Sequence, residues 1–164
     1  MRSCGRDGAS RLGFRDGLNL LRGNHRATVD PKGRMKVPSV FLEDLAVYGD
    51  TFYVTSENGD RAYIYPMKEW VAIEERLAKL PSHNQAKQKF LTRTSYYGAV
   101  VKMDGQGRLL IPPVLREQAE MKGEVDVMGK LTSLEVWNHT RFAEHMKGNP
   151  ITDDDWKVLN DLGI

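Results

Sequence analysis

Short stretches of alternating apolar and polar residues occur in two matching sets along the chain. In each set an alternating run leads into a five-residue segment containing a glycine, Gly33 or Gly107, and an apolar run ending at a proline follows. The runs are short enough for strands, and a glycine between them permits the positive φ of a tight loop, so each set predicts a strand, a tight loop and a strand. After Pro38, the run from Ser39 to Leu45 predicts a short helix capped by Ser39, and Pro113 to Gln118 repeats it with proline in the first turn. Thr51 to Thr55, Ala62 to Tyr65, Val125 to Met128 and Ser133 to Val136 predict two hairpins, with turns at Asn58-Gly59-Asp60 and Gly129-Lys130. Between the sets, Trp70, Ile73, Leu77 and Leu80 form a helical stripe over 68–80 that ends before Pro81. Ser82 is expected to cap a second helix over 83–94, which carries Lys87, Lys89 and Arg93 and few apolar residues besides Ala86, Phe90 and Leu91. Asp153, Asp154 and Asp155 precede Trp156, Val158, Leu159 and Leu162, a pattern suited to the positive end of a helix dipole. That last helix is expected to cover a sheet edge or to meet a neighbouring subunit.

The two sets are copies of one unit. Asp30-Pro31-Lys32-Gly33-Arg34 with Met35-Lys36-Val37-Pro38 returns 74 positions later as Asp104-Gly105-Gln106-Gly107-Arg108 with Leu109-Leu110-Ile111-Pro112. The lead-ins Gly23 to Val29 and Gly98 to Met103 also match, and Tyr63 to Pro66 with Trp70 corresponds to Leu134 to Trp137 with Phe142 at a similar offset. A unit of roughly 50 residues cannot easily bury a core alone, so the copies are expected to pack on each other as a pseudo-dimer. The expected organisation is an N-terminal extension over 1–20, a first repeat over 21–70, linker helices over 71–96, a second repeat over 97–143 and a helical segment over 144–164.

Composition narrows the function classes. An apolar fraction of 40% and a charged fraction of 28% are ordinary for a globular protein. The longest apolar runs, such as Leu109-Leu110-Ile111, fall far short of the roughly 20 residues of a membrane span. Cys4 is the only cysteine, which permits no internal disulfide and fits a reducing, cytoplasmic setting. The net charge of +2 is unevenly spread: residues 1–26 hold six Arg against two Asp, a local +4, which leaves −2 for 27–164. Nucleic-acid binding would therefore need a local patch, multiplied by oligomerisation. Residues 1–20, rich in Gly, Arg, Ser and Asp, contain no apolar core of a secretory signal and read as a flexible basic arm or a start assigned too early.

Chemistry for catalysis is not legible. His25, His83, His139 and His145 are scattered, with no spacing that suits a metal, so no cofactor is expected. Gly123 to Lys130 superficially resembles a phosphate loop, but it has five intervening residues instead of four and Leu131 where Ser or Thr belongs. The Asp30/Arg34 and Asp104/Arg108 pairs have no second carboxylate or His nearby in sequence for acid–base work. No enzymatic activity and no small-molecule substrate are expected.

In a loop of the form Asp-x-x-Gly-Arg, the carboxylate can accept the loop's own amides or pair with the arginine, giving a rigid loop that presents a guanidinium. Such a group can hold a DNA phosphate or read guanine. The bland alternative is that Asp and Arg only staple a turn. Two copies in matched contexts favour a ligand-binding loop, with Arg26, Lys32 and Lys36 around the first and Lys102 around the second. The second loop is less basic, with Gln106 for Lys32 and Leu110 for Lys36, so the first is expected to contribute more phosphate affinity.

Gly23-Asn24-His25, the first loop with Pro38, Tyr65-Pro66 and Trp70, and the second loop with Ile111-Pro112 closely resemble the MraZ family of bacterial regulators of the division and cell wall gene cluster, over about residues 21–160. The resemblance implies an α+β, β-rich fold of two tandem SpoVT/AbrB-like repeats, a double-split barrel of swapped hairpins with connecting helices. It implies ring-shaped homo-oligomers that bind double-stranded DNA at short direct repeats upstream of the cluster's own promoter, generally as repressors, in the cytoplasm and on the nucleoid. By position it assigns DNA contact to Arg34, Lys32 and Arg108, to which local charge adds Arg26 and Lys36. Asp30, Gly33, Asp104 and Gly107 would structure the loops. An antitoxin-like module would share the fold but have one copy per chain, and a purely structural ring would not need cations at the loops.

Overall fold

In the computed structural model, which describes residues 20–164, fourteen elements follow one another. The expectations for the N-terminal extension and for Cys4 fall on residues outside that range. The first copy supplies β1 (Asn24–Val29), β2 (Arg34–Lys36), α1 (Ser39–Ala46), β3 (Thr51–Thr55) and β4 (Ala62–Pro66). Helices α2 (Met67–Leu77) and α3 (Gln85–Tyr96) follow. The second copy supplies β5 (Ala99–Lys102), β6 (Arg108–Leu110), α4 (Pro113–Gln118), β7 (Gly123–Gly129) and β8 (Leu134–Asn138), and α5 (His139–Gly148) and α6 (Asp153–Asn160) end the chain.

All eight strands join one antiparallel, nearly closed barrel-like sheet in the order β5-β3-β4-β8-β7-β1-β2-β6, as the α+β double-repeat expectation requires. The copies interleave instead of standing side by side. β1 of the first copy pairs with β7 of the second, with Ala27 opposite Val125, while β5 of the second pairs with β3 of the first, with Val101 opposite Phe52. A pseudo-twofold axis passes through the two remaining junctions. Met35 faces its counterpart Leu109 across β2 and β6, and Tyr63 faces Glu135 across β4 and β8. Alternation sends Val29, Met35, Phe52, Val54, Ile64, Leu109, Val125, Val127, Leu134 and Val136 into one shared core. Neither copy could enclose these residues alone, because its β1 or β5 ladder partner belongs to the other copy.

Several local expectations shift. Pro38, at φ −53° and ψ 135°, takes the cap position of α1 and Ser39 becomes its first residue, with no side-chain cap bond. Helix α4 keeps its expected bounds and its proline in the first turn, with Pro112 at the cap position. Proline's fixed φ suits the extended residue before the helix, so the backbone sets the entry without a serine. Asn84, not Ser82, caps α3 by accepting from the Lys87 amide, and α3 runs to Tyr96. The stripe helix stops at Leu77, leaving Leu80 exposed in the following turn, while Trp70 stacks on Tyr53 at 4.5 Å between ring centroids. The turn after β7 is centred on Leu131, whose φ of 66° is held by paired backbone bonds to Leu21 at 2.8 and 2.9 Å. Helix α6 has the expected acidic start, strengthened by a capping box between Thr152 and Asp155, but buries none of its residues, so it does not cover an edge of its own sheet.

β8 also carries a buried carboxylate that sequence reading passed over. Glu135 accepts from Arg61 at 3.0 Å and from the Trp137 indole at 2.8 Å, with Lys130 at 3.4 Å, and the Arg61 guanidinium lies 4.4 Å above the Trp137 ring. These partners replace the water that a buried charge loses.

Truncating a residue on the axis should test the shared core. Leu109→Ala is expected to cost about 2–5 kcal/mol in urea unfolding, and the adjacent exposed Leu110→Ala to stay within about 0.5 kcal/mol.

Candidate nucleic-acid interface

The two loops have the same construction. Asp30 Oδ1 accepts the Lys32 and Arg34 amides, both at 2.9 Å, and Oδ2 receives Arg34 Nε at 2.9 Å. Asp104 Oδ1 accepts the Gln106 and Arg108 amides at 2.9 Å, and Oδ2 receives Arg108 Nε at 2.8 Å. Gly33 and Gly107 have φ of 85° and 74°, and each donates to the carbonyl of its loop's aspartate. The stapling alternative is thus present in full: each aspartate organises its loop. The ion pair uses only Nε, which leaves the Nη edge of each guanidinium for another acceptor.

The amide of Arg34 is the chief cause of an Asp30 carboxyl held below its ordinary 3.8; burial opposes it, and the Arg34 guanidinium and the Lys32 amide add to it. Asp104 is lowered chiefly by the Arg108 amide, against the same opposing effect of burial, with the Arg108 guanidinium and the Gln106 amide assisting.

The strands after the loops bring the cations together. Because β2 and β6 pair with Arg34 opposite Leu110 and Lys36 opposite Arg108, and because Met35 and Leu109 point into the core, these four side chains share the outer face of the ribbon. Like charges directly opposite one another repel, and with Asp104 pairing Arg108 only through Nε, an anion on the outer face would add to that compensation. Lys32 is exposed at the first loop's tip. Arg26 shares the outer face through the alternation of β1, but the structure engages it elsewhere: its Nη2 donates to His139 Nε2 at 2.8 Å and its Nη1 lies 3.5 Å from Glu124. Since a guanidinium only donates, the His139 Nδ1–H faces Asp126 Oδ2, 2.6 Å away. Lys102 is likewise paired, with Asp50 at 3.5 Å.

One residue of this surface escaped the sequence reading. Arg116 of α4, in the second copy, donates from Nη1 to the Lys32 carbonyl at 3.0 Å. It lies against Gly33 so closely that a Cβ there would stand 1.3 Å from Nη1. The corresponding residue over Gly107 is Leu42, with methyls at 3.4 Å from such a Cβ. The signal was available, since Arg116 and Leu42 stand 74 positions apart in matched helices, but nothing local connects a residue to a loop 84 positions away. A cavity of about 500 Å³ opens beside it, lined in part by Asp30, Pro31, Glu117 and Lys122.

Among the described residues, no group of three or more His, Cys, Asp or Glu side chains could hold a metal ion, and no helix is long and apolar enough to cross a membrane.

Comparison with known proteins agrees with this double-loop architecture. The family model described as "MraZ protein, putative antitoxin-like" matches residues 20–93 and 98–152. The chain belongs to the MraZ family. It is 50% identical over 147 residues to the "Transcriptional regulator MraZ" of Koribacter versatilis and 46% identical over 146 residues to that of Acidobacterium capsulatum. A third relative of the same name, from Caldicellulosiruptor saccharolyticus, is 38% identical over 147 residues. Each alignment covers 88% of this chain and the whole of the relative.

The loop chemistry gives two expected outcomes. The Asp30 and Asp104 carboxyls lie below 3.8 in the folded protein. Their contribution to stability is therefore complete above that value and is lost as the pH falls through the lowered one. Urea unfolding between pH 5 and pH 2 should show a shallower acid loss in an Asp30→Asn, Asp104→Asn double variant. The positive φ at Gly33 and Gly107 makes either Gly→Ala change cost about 1–2 kcal/mol. Gly33→Ala should cost about 1 kcal/mol more in the same assay, because it also displaces Arg116 from the Lys32 carbonyl.

Proposed function

We propose that this protein is a sequence-specific DNA-binding transcription regulator whose β2–β6 ribbon and two flanking loops form its DNA face. The observation that carries the reading is the placement of Arg34, Lys36 and Arg108 on one outer face, with Lys36 and Arg108 directly opposed. Asp104 already offsets part of the repulsion within that pair, and phosphate or base acceptors would offset the rest. The names of the relatives, transcriptional regulators all, support the same reading.

Arg34, Lys32 and Arg108 contact DNA directly, with Lys36 beside Arg108. Arg26 contributes after exchanging its Glu124 and His139 partners for phosphate. Asp30, Gly33, Asp104 and Gly107 hold the loops in shape, so the guanidiniums are ordered before DNA arrives and little entropy is lost on binding. The more basic first loop carries the larger share of phosphate affinity.

A single chain offers few cations, so affinity comes from multiplicity. In a ring-shaped homo-oligomer, one engaged copy raises the effective concentration of its neighbours over adjacent boxes of a tandem repeat. The site of action is the repeated sequence upstream of the division and cell wall cluster, including the protein's own promoter, where occupancy by the ring represses transcription. The protein acts in the cytoplasm, on the nucleoid.

The deciding experiment is binding of the purified protein, at two salt concentrations, to DNA from upstream of its own gene against a scrambled control. Tight binding to the native fragment that falls steeply with salt is expected, by roughly 0.9 in log–log slope per phosphate contacted. Equal weak binding to both fragments would overturn the reading. Arg34→Ala should weaken native-fragment binding about tenfold or more while the unfolding midpoint and oligomer size stay close to wild type. Unchanged affinity in that well-folded variant would remove Arg34 from the interface.

A further inference from the structure

The two loops are copies, yet the helices that cover them are not. Arg116 covers Gly33 and Leu42 covers Gly107. Both covering residues come from the opposite copy: α4 of the second copy lies over the first loop, and α1 of the first copy lies over the second. Leu42 can give its loop only van der Waals contact. Arg116 adds a charge-assisted hydrogen bond to the Lys32 carbonyl, which fixes the plane of the Lys32–Gly33 peptide at the centre of the loop. That peptide lies between the Lys32 and Arg34 amides that Asp30 Oδ1 gathers, so Arg116 grips the first loop from outside while Asp30 grips it from within. The guanidinium occupies the space where any larger residue at position 33 would put its Cβ, so its seat exists only because that residue is glycine.

We propose that Arg116 is a positioning residue for DNA binding, by which the second copy pre-orders the first copy's loop and makes it the leading DNA-reading element of the pair. The inference rests on the DNA-binding reading above. Its physical content is an unequal pseudo-dimer. One loop is braced by a directional bond before DNA arrives, while the other is only packed. A braced loop loses less freedom on binding, and the brace adds a positive charge behind a loop that already carries Lys32 and Arg34.

The test replaces Arg116 with the residue its counterpart position already holds. Arg116→Leu should fold, because Leu42 shows that leucine fits over a loop glycine in this setting. Amide hydrogen exchange by NMR of the DNA-free protein then reads the loops separately. With the brace gone, the Lys32, Gly33 and Arg34 amides are expected to exchange faster while the Gln106, Gly107 and Arg108 amides keep their rates. A purely structural role elsewhere in the fold would not loosen one loop and leave the other. Affinity for the upstream fragment is expected to fall about tenfold, the equivalent of one charge-assisted hydrogen bond. Arg116→Lys keeps the charge but not the planar donor, and should restore the salt slope while leaving the first loop's amide exchange fast.

An Arg116→Leu protein with unchanged amide exchange in the first loop, or with wild-type affinity for the fragment, would overturn the inference. Recovery of wild-type exchange in Arg116→Lys would also overturn it, since charge alone would then suffice. Wild-type and Arg34→Ala proteins are measured alongside. Loss of affinity in Arg34→Ala with none in Arg116→Leu sinks only the positioning role, whereas a wild-type protein that ignores the fragment sinks the DNA-binding reading itself.

Discussion

The structure turns on a reciprocal clasp between the two loops. The carbonyl of Gly33 accepts from the Ile111 amide and the carbonyl of Gly107 accepts from the Val37 amide, both at 2.9 Å. Each loop's glycine therefore closes a hydrogen bond onto the strand that leaves the other loop. This pair of bonds extends the short β2–β6 ladder at both ends and fixes its register, which sets Met35 against Leu109 in the core and Lys36 against Arg108 outside. A slip of one residue would turn the buried pair outward and the cations inward. The same two glycines thus govern loop shape, core closure and the alignment of the cationic face.

The interleaving of the copies follows from the same economy. Each copy contributes strands too short to shield a core, and exchanging ladder partners makes one continuous sheet from both. Apolar character is kept in both copies where core residues meet near the axis, and is not kept on the outer face. Ile64 faces Leu134 and Ala62 faces Val136, equivalent pairs by the repeat, and all four are buried. On the outer face selection is freer: Lys36 corresponds to Leu110, Arg26 to Val100 and Leu42 to Arg116. Both Val100 and Leu110 are exposed and help line an apolar cavity of about 320 Å³ with Pro112 and Pro113. The duplicated core keeps the fold, and the divergent exterior gives the two halves different surfaces.

Buried polar groups follow a similar division. Glu135 sits on the axis opposite Tyr63, and its charge is met by Arg61, Lys130 and the Trp137 indole. Asp126 is met by Asn24 and His139. Neither carboxylate has its copy-related partner in the other repeat, where Phe52 to Val54 and Tyr63 supply apolar or aromatic groups. Both clusters join strands or helices distant in the chain, so they specify how elements meet more than whether each element forms.

Features that span a few residues were legible from the chain alone. The doubled Asp-x-x-Gly-Arg loop is self-contained, since Asp30 and Arg34 or Asp104 and Arg108 are close enough along the chain to bond without help, and the strands, hairpins and most helices follow from periodicity. Even the pseudo-dimer was legible, because a repeat too small for its own core has to share one. Helix entries at Pro38 and Asn84 were misread by a residue or two, because serine near a helix start is a weak signal beside a proline that already fixes the backbone. Which strand of one copy pairs with which of the other emerged only in the folded sheet. With that came the opposition of Lys36 and Arg108, the engagement of Arg26 by His139 and Glu124, and the seat of Arg116 against Gly33. The reason is distance along the chain. A contact spanning four residues is written in local spacing, whereas one spanning 84 or 113 depends on sheet register, which no single segment encodes.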